Sequence, residues 1–225
     1  DKKLAKLYQL PEQDTLRLAD GFQRVSLADH KQRGGLMGMA SVLTVSANGV
    51  DTSPVTRGVW VSENILGVTP PPPPDEVPAL DSNVSGATTI REKLAKHSED
   101  KTCVVCHRNI DPLGFALETF DPVGRWRTKY PKSKGKSASI DPSGEFPSGE
   151  TYDDFAGFRK VLTKGRHDQF TRNLIEKMLA YTTGRHMERV DQYEIDDILQ
   201  RVKADQFGLR TMVIEVLTSE IFRSR

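Results

Sequence analysis

The sequence predicts a mainly α-helical fold with long connecting loops, and three features of the 225-residue chain support this fold class. Apolar residues recur at three- and four-residue spacing over several stretches, as they do along one face of a helix. The pattern is most strongly helical from residue 152 to the end. The 17 glycines and 13 prolines, with a mean hydropathy of −0.50, indicate many turns. A chain of this length with 36% hydrophobic residues holds one large domain or two small ones.

The N-terminal part combines short helices with irregular segments. We predict helices over residues 3–10, 55–66 and 88–97. Residues 41–46 (SVLTVS) are rich in β-branched side chains and favour a strand or an extended segment. Residues 70–74 are five consecutive prolines, which must adopt polyproline II and which we interpret as a stiff spacer.

The C-terminal part is more strongly helical. A helical segment at residues 113–120 and a long loop over 127–151 precede predicted helices at 152–163, 170–182, 192–203 and 209–222. In the helix over 170–182, a core-facing stripe is predicted from the spacing of Phe170, Leu174, Met178 and Tyr181. We therefore expect a first domain of residues 1–150 and an additional C-terminal helical domain of residues 151–225 packed on it.

The balance of charge and hydropathy excludes two classes of protein. The 32 basic and 31 acidic residues leave a net charge of +1, so bulk electrostatics give no reason to expect a nucleic-acid partner. No run approaches the roughly 20 apolar residues that a membrane-spanning helix needs. We therefore expect no membrane span in this chain.

The only two cysteines, Cys103 and Cys106, lie in the sequence Cys-Val-Val-Cys-His. Cys-x-x-Cys-His is the attachment signature of c-type haem. Thiols three positions apart on a helix can add to the two vinyl groups of one porphyrin, and the adjacent His107 can bind the iron through Nε2. Its Nδ1–H then needs an acceptor, for which we expect the backbone carbonyl of Pro112 or of a neighbour.

Two other interpretations of the cysteine pair are weaker. A structural zinc site needs two more ligands, and His97 and His30 lack the spacing that would supply them. A thioredoxin-like redox pair is expected to follow a strand in a βαβ unit, whereas the flanks here predict a polar helix and a turn. One covalently attached haem c is therefore the predicted cofactor.

Longer segments are similar to a known family. They are residues 33–43 (RGGLMGMASVL), 52–60 (TSPVTRGVW), 63–67 (ENILG), 86–92 (GATTIRE) and 103–127, which begins CVVCHRNIDPLG. Together they resemble the C-terminal part of planctomycete-type cytochrome c proteins, in which two domains of unknown function, numbered fifteen-eighty-eight and fifteen-eighty-five, stand side by side. The resemblance implies a cytochrome c-like haem domain from a larger exported protein, located in the periplasm or at the cell surface. Its partner would be a redox protein or a neighbouring domain of the parent chain.

The second axial ligand of the iron is open between several side chains. The resemblance implies a methionine, histidine or glutamine at the position of Met39, so we favour Met39 as the ligand opposite His107. Met187 and His186 are the alternatives, in the order that small cytochromes c use. For Met178 and Met212, packing in a helical core is the default explanation.

Five further residues are candidates for contacts with the haem propionates, which need donors when they are partly buried. They are Arg57, Trp60, Arg125, Trp126 and Arg127. For each of them, a surface ion pair or an ordinary core position is the competing explanation.

The expected function is one-electron transfer by the bound haem. A haem enzyme of the peroxidase or oxidase type, with an open or displaceable sixth ligand, is one alternative. Such an enzyme needs an acid–base cluster, for which only His186 with Arg185 and Glu188 qualifies. A module in which haem stabilises an exported scaffold is the other alternative.

Overall fold

The computed structural model describes residues 2–10, 16–17, 23–72, 89–98, 101–131 and 137–224. Within these ranges the chain is mainly helical, which confirms the predicted fold class at that level. The first helices are α1 (Lys2–Leu7), α2 (Ala40–Val45), α3 (Pro54–Asn64), α4 (Ile90–His97) and α5 (Lys101–Phe115). Short 3₁₀ helices cover Leu36–Gly38 and Ala116–Thr119.

Two small antiparallel ladders interrupt the helices. Strand β1 (Leu16–Arg17) pairs with β2 (Gln23–Arg24), and β3 (Gly144–Glu145) pairs with β4 (Thr151–Tyr152). The remaining helices are α6 (Phe155–Gly165), α7 (His167–Thr183), α8 (Gln192–Ala204), α9 (Leu209–Thr218) and α10 (Glu220–Arg223). No helix in the described ranges is both long enough and apolar enough to cross a membrane.

Residues 41–45 lie in α2 and Ser46 is the C-cap of this helix, so the predicted strand or extended segment is wrong. The hydroxyl of Thr44 donates to the carbonyl of Ala40 at 2.7 Å, and that of Ser46 donates to the carbonyl of Val42 at 2.9 Å. Val42 and Leu43 are buried on the inner face of this helix. Packing of the apolar face and hydroxyl bonds to the preceding turn therefore outweigh the strand preference of the β-branched side chains.

Other boundaries also differ from the prediction. Tyr152 belongs to β4, and the helix after it begins at Phe155. The predicted last helix ends early, and Ser219 caps the N-terminus of α10, where its hydroxyl accepts from the amide of Phe222 at 3.2 Å. Residues 70–72 form neither helix nor strand, and the last two prolines of the run lie outside the described residues.

The chain divides into two compact units. Unit 1 comprises Asp1–Trp60 and Pro70–Lys160, and unit 2 comprises Val61–Thr69 and Val161–Arg225. The functional division at residues 150 and 151, and the cytochrome c-like character of the first domain, stay predictions.

Unit 2 has an apolar core formed by α7, α8, α9 and α10. Its buried members include Ile175, Leu179, Ile195, Ile198, Val202, Met212, Val216 and Ile221. The predicted stripe on α7 is partly wrong: Leu174 and Met178 pack on the core, but Tyr181 is 90% exposed. The buried face contains Thr171, Ile175 and Leu179, each one position after a residue of the predicted stripe. One residue corresponds to a rotation of about 100° around the helix axis.

Unit 1 has an interior rich in aromatic rings. Phe120 meets Phe155 edge to face at 5.0 Å between ring centroids, and Phe146 stacks on Phe158 at 5.3 Å. Leu113 and Leu117, on α5 and the 3₁₀ helix that follows it, are also buried. The helix that carries the cysteines is therefore anchored at its C-terminal end.

Candidate functional site

The cysteine motif lies in the first half of α5. Cys103 and Cys106 are free thiols and both are half-buried. Residues three apart on a helix lie on the same side, so the two sulfur atoms project from one face. His107 follows directly and is also half-buried. This helix therefore presents two thiols and an imidazole, which is the donor chemistry that a covalently attached haem requires.

Two glycines set the position of α5 against α3. A Cβ atom at Gly58 would overlap the carbonyl of Ile110, and a Cβ atom at Gly114 would overlap the carbonyl of Pro54. Each helix thus supplies one glycine where the other backbone passes. The close crossing fixes the C-terminal half of the cysteine helix on a rigid support.

His107 is held by a carboxylate one turn further along α5. Its Nδ1 atom lies 3.0 Å from both Oδ1 and Oδ2 of Asp111. Asp111 is 6% exposed. Burial raises the pKa of the Asp111 carboxyl, and the neighbouring His107 opposes this rise. With Nδ1 engaged, Nε2 is the ring nitrogen that remains for a ligand.

The predicted acceptor for His107 is wrong. The carbonyl of Pro112 accepts a hydrogen bond from the hydroxyl of Tyr152 on β4. Asp111 takes the place of the backbone acceptor because its i+4 position puts the carboxylate beside the imidazole. This spacing is visible in the sequence, and it is the signal that sequence reasoning missed.

A second histidine contacts the first. The rings of His97, at the end of α4, and His107 lie 5.3 Å apart between centroids, with their planes at 75°. Sequence reasoning did not pair them, since they belong to different helices. Within the described residues, no group of three or more histidine, cysteine, aspartate and glutamate side chains is arranged to hold a metal ion by itself.

Arg91 of α4 links this region to the loop before β3. Its guanidinium lies 3.7 Å from the ring centroid of Phe115 and forms an ion pair with Asp141 at 3.2 Å. It also donates to the carbonyl of Asp141 at 3.0 Å. The Arg91 guanidinium therefore pairs with Asp141, whereas the Asp111 carboxylate contacts His107.

Arg57 is not available to a propionate, contrary to its predicted role. It is fully buried, and it donates to the carbonyls of Phe120 at 2.8 Å and Asp121 at 3.1 Å. It also lies 3.4 Å from the carboxylate of Glu118, which is buried as well. Burial lowers the pKa of Arg57 to about 10, against the opposing charge of Glu118. Arg57 therefore anchors the chain that follows α5.

The other predicted propionate contacts stay predictions. Trp60 is half-buried. The Arg125 side chain is exposed, and its backbone amide donates to Asp121 at 2.8 Å. Trp126 is half-buried, with its ring 5.2 Å from that of Phe120.

The candidate axial ligands lie in different surroundings. Met39 belongs to unit 1, directly precedes α2 and is 46% exposed. Met187 packs against the apolar core of unit 2, and His186 beside it is exposed. Met212 is buried in that core, which agrees with the packing role predicted for it and for Met178.

The acid–base cluster considered for a haem enzyme is already engaged. Arg185 forms a two-pronged ion pair with Asp191, at 2.6 and 2.8 Å. Asp191 also accepts from the backbone amide of Glu188 at 2.6 Å. Arg185 also donates to the backbone carbonyl of His186 at 3.1 Å, so its guanidinium serves the turn before α8.

Two family models match the chain, and they correspond to the paired domains named from the sequence. Residues 33–130 match a "protein of unknown function (DUF1588)", and residues 148–222 match a "protein of unknown function (DUF1585)". No curated protein and no solved structure matches the chain. The two matches together cover most of the sequence, in the predicted order. The chain therefore belongs to the family of proteins in which DUF1588 and DUF1585 stand side by side.

Proposed function

We propose that this chain is a c-type cytochrome module that carries one covalently attached haem and transfers single electrons. The observation that supports this function is the arrangement on α5, where two free thiols precede a histidine whose Nδ1 is held by Asp111. When bound, a haem c supplies an iron that alternates between the ferric and ferrous states. The chain binds and orients that group and sets its environment.

Each residue of the motif has a separate task in this proposal. Cys103 and Cys106 form the thioether links, which makes loss of the cofactor impossible without breaking a covalent bond. His107 offers Nε2 to the iron, because its Nδ1–H donates to the Asp111 carboxylate. The fixed crossing of α3 and α5 limits movement of the support on which these side chains stand.

We propose Met39 as the ligand on the opposite side of the iron. It lies in the same unit as α5, and its exposed thioether follows a glycine-rich segment that allows close approach of the backbone. Met178, Met187 and Met212 are occupied in the packing of unit 2. His97 is the rival ligand that the structure adds, because its ring contacts that of His107.

The attachment chemistry implies export. Haem is linked to Cys-x-x-Cys-His motifs outside the cytoplasm, so we place the protein in the periplasm or at the cell surface. The electron donor or acceptor is a redox protein or a neighbouring domain of a longer parent chain.

Haem attachment can be tested with a pair of double variants. The wild-type chain, produced in a periplasm that contains haem-attachment machinery, should keep its haem after extraction with acid acetone. Cys103→Ala/Cys106→Ala should release it, whereas Val104→Ala/Val105→Ala, at exposed positions of the same helix, should not. Absence of covalent haem from the purified wild-type protein would overturn the proposal.

The axial ligand is decided by visible and electron paramagnetic resonance spectra. Met39→Ala should convert low-spin ferric haem to a high-spin form that binds azide or carbon monoxide. Met187→Ala and His97→Ala should each have the same spectrum as the wild-type protein. A conversion caused by His97→Ala alone would assign the second position to that histidine and reject Met39.

A further inference from the structure

The hydrogen-bond partner of His107 affects the donor strength of its Nε2 atom as well as the orientation of the ring. The partner is a carboxylate, both oxygens of which lie 3.0 Å from Nδ1. Asp111 is 6% exposed, and the side chain of His107 is 18% exposed, so water competes little for this contact. A charge-assisted hydrogen bond in such surroundings is stronger than one to a neutral carbonyl.

Helix geometry and the neighbouring side chains place the Asp111 carboxylate beside the imidazole of His107. Helix geometry places residue 111 one turn after residue 107 on the same face. The backbone acceptor expected from the sequence, the carbonyl of Pro112, accepts from the Tyr152 hydroxyl. The neighbouring cation, Arg91, pairs with Asp141. The Asp111 carboxylate therefore pairs with His107, while Arg91 pairs with Asp141.

A carboxylate acceptor changes the electron density of the whole imidazole. It draws the proton on Nδ1 towards itself, which gives Nε2 more donor strength. A stronger and more anionic donor stabilises ferric iron over ferrous iron. The proposed effect acts through the charge of the carboxylate and needs no transfer of the proton from Nδ1.

We propose that Asp111 is a positioning residue that strengthens His107 as a ligand and lowers the reduction potential of the haem. This inference rests on the proposed function, since it needs His107 to bind the iron. It assigns the setting of the potential to a buried carboxylate, in place of the neutral backbone acceptor that the sequence predicts.

The test compares Asp111→Asn with Asp141→Asn in the haem-loaded protein. The amide introduced by Asp111→Asn retains the size of the side chain and an oxygen acceptor but lacks the charge. Asp141→Asn removes a carboxylate of the same unit that pairs with Arg91 and not with His107. Spectroelectrochemistry should show a higher potential for Asp111→Asn by at least a tenfold change in the ferric/ferrous equilibrium, about 59 mV for one electron. The control should keep the wild-type potential.

Failure of this inference is distinct from failure of the proposed function. Wild-type protein without covalent haem would reject the function. Equal haem content in all three proteins, with the potential of Asp111→Asn equal to that of the wild type, would reject only the role of Asp111. If Asp111→Asn does not accumulate, nitrogen-15 NMR of His107 in the wild-type protein decides. An imidazolate-like shift of the ring nitrogens supports the proposal, and the shift of a histidine bonded to a neutral carbonyl overturns it.

Discussion

The two units stabilise their interiors in different ways. Unit 2 joins four helices through an apolar cluster, and it has ion pairs at the surface, such as Arg201 with Glu215. Unit 1 buries the charged pair of Arg57 and Glu118 and holds half-buried thiols and an imidazole on one helix. Burial of apolar side chains is favourable by itself, whereas burial of a charge is costly unless the charge is paired and hydrogen-bonded. The interior of unit 1 therefore depends on a buried charged pair, and that of unit 2 on apolar packing.

The largest expected difference between the units follows from removal of the haem. In Cys103→Ala/Cys106→Ala, the backbone amides of unit 1 should be less protected from hydrogen exchange. A ligand that binds only the native state stabilises that state, and a covalent ligand cannot dissociate. Hydrogen exchange followed by mass spectrometry should show faster exchange in α4 and α5 and unchanged exchange in α7 and α8. Equal exchange in both units of the variant and the wild type would show that the haem does not support the fold of unit 1.

Breaking the buried pair should be the next largest effect. Arg57→Met leaves the Glu118 carboxylate buried without its main cation, which typically costs about 3–5 kcal/mol. The matched variant in unit 2 is Arg201→Met, at an exposed pair, where we expect a loss below about 1 kcal/mol. Urea unfolding of both proteins measures the free energies. Losses of equal size would remove the distinction between a buried and a surface charge.

The glycine crossing gives a smaller but local effect. Gly58→Ala places a methyl group against the backbone carbonyl of Ile110, which cannot move without shifting α5, and we expect a loss of about 2–3 kcal/mol. The control is Gly165→Ala in unit 2, where a Cβ atom meets nothing within 4 Å. That change should be neutral or should stabilise by up to about 1 kcal/mol. Thermal unfolding of the two variants tests the crossing, and equal losses of stability would contradict it.

The smallest effect concerns pH and unit 2. Hydrogen bonds from Arg185 hold the pKa of Asp191 at about 2, below its ordinary value near 4. Because the pKa is lower in the folded state, the stabilisation is complete above about pH 4 and is lost as the pH falls towards 2. Urea unfolding at pH 6 and pH 2 should show that Asp191→Asn removes this part of the acid sensitivity, less than about 1 kcal/mol because the Arg185 partner is exposed and solvent screens its charge. Asp168→Asn, at an exposed pair with Lys203, should keep the acid sensitivity of the wild-type protein.

Local sequence patterns predicted the helices better than their faces. The helical periodicity located α7 and α8 to within a few residues. The core stripe on α7 was misassigned because this helix has apolar residues at adjacent positions, Leu174 beside Ile175 and Met178 beside Leu179. Only the packing partners on α8 and α9 select between these adjacent positions. The β-branched run at 41–46 was misassigned for the same reason, since burial of its apolar face overrides local preference.

The candidate site was predictable where it depends on neighbours in sequence. The Cys-x-x-Cys-His spacing identified the motif, and the i+4 spacing of His107 and Asp111 carried the signal for the carboxylate partner. The contact of His97 with His107 joins two helices, and the bond from Arg57 to Phe120 spans a sequence separation of 63 residues. Such contacts leave no periodic trace in a single sequence, so the roles of Arg57 and His97 required the structure.

The central claim, that α5 holds one covalently bound haem, is tested most directly by the mass of the intact, denatured wild-type protein. The protein should be produced in a periplasm with haem-attachment machinery, beside a known c-type cytochrome as a control. The account predicts the polypeptide mass plus one haem, with the added mass located on the fragment that contains Cys103 and Cys106. The mass of the bare polypeptide, while the control carries its haem, would contradict the account.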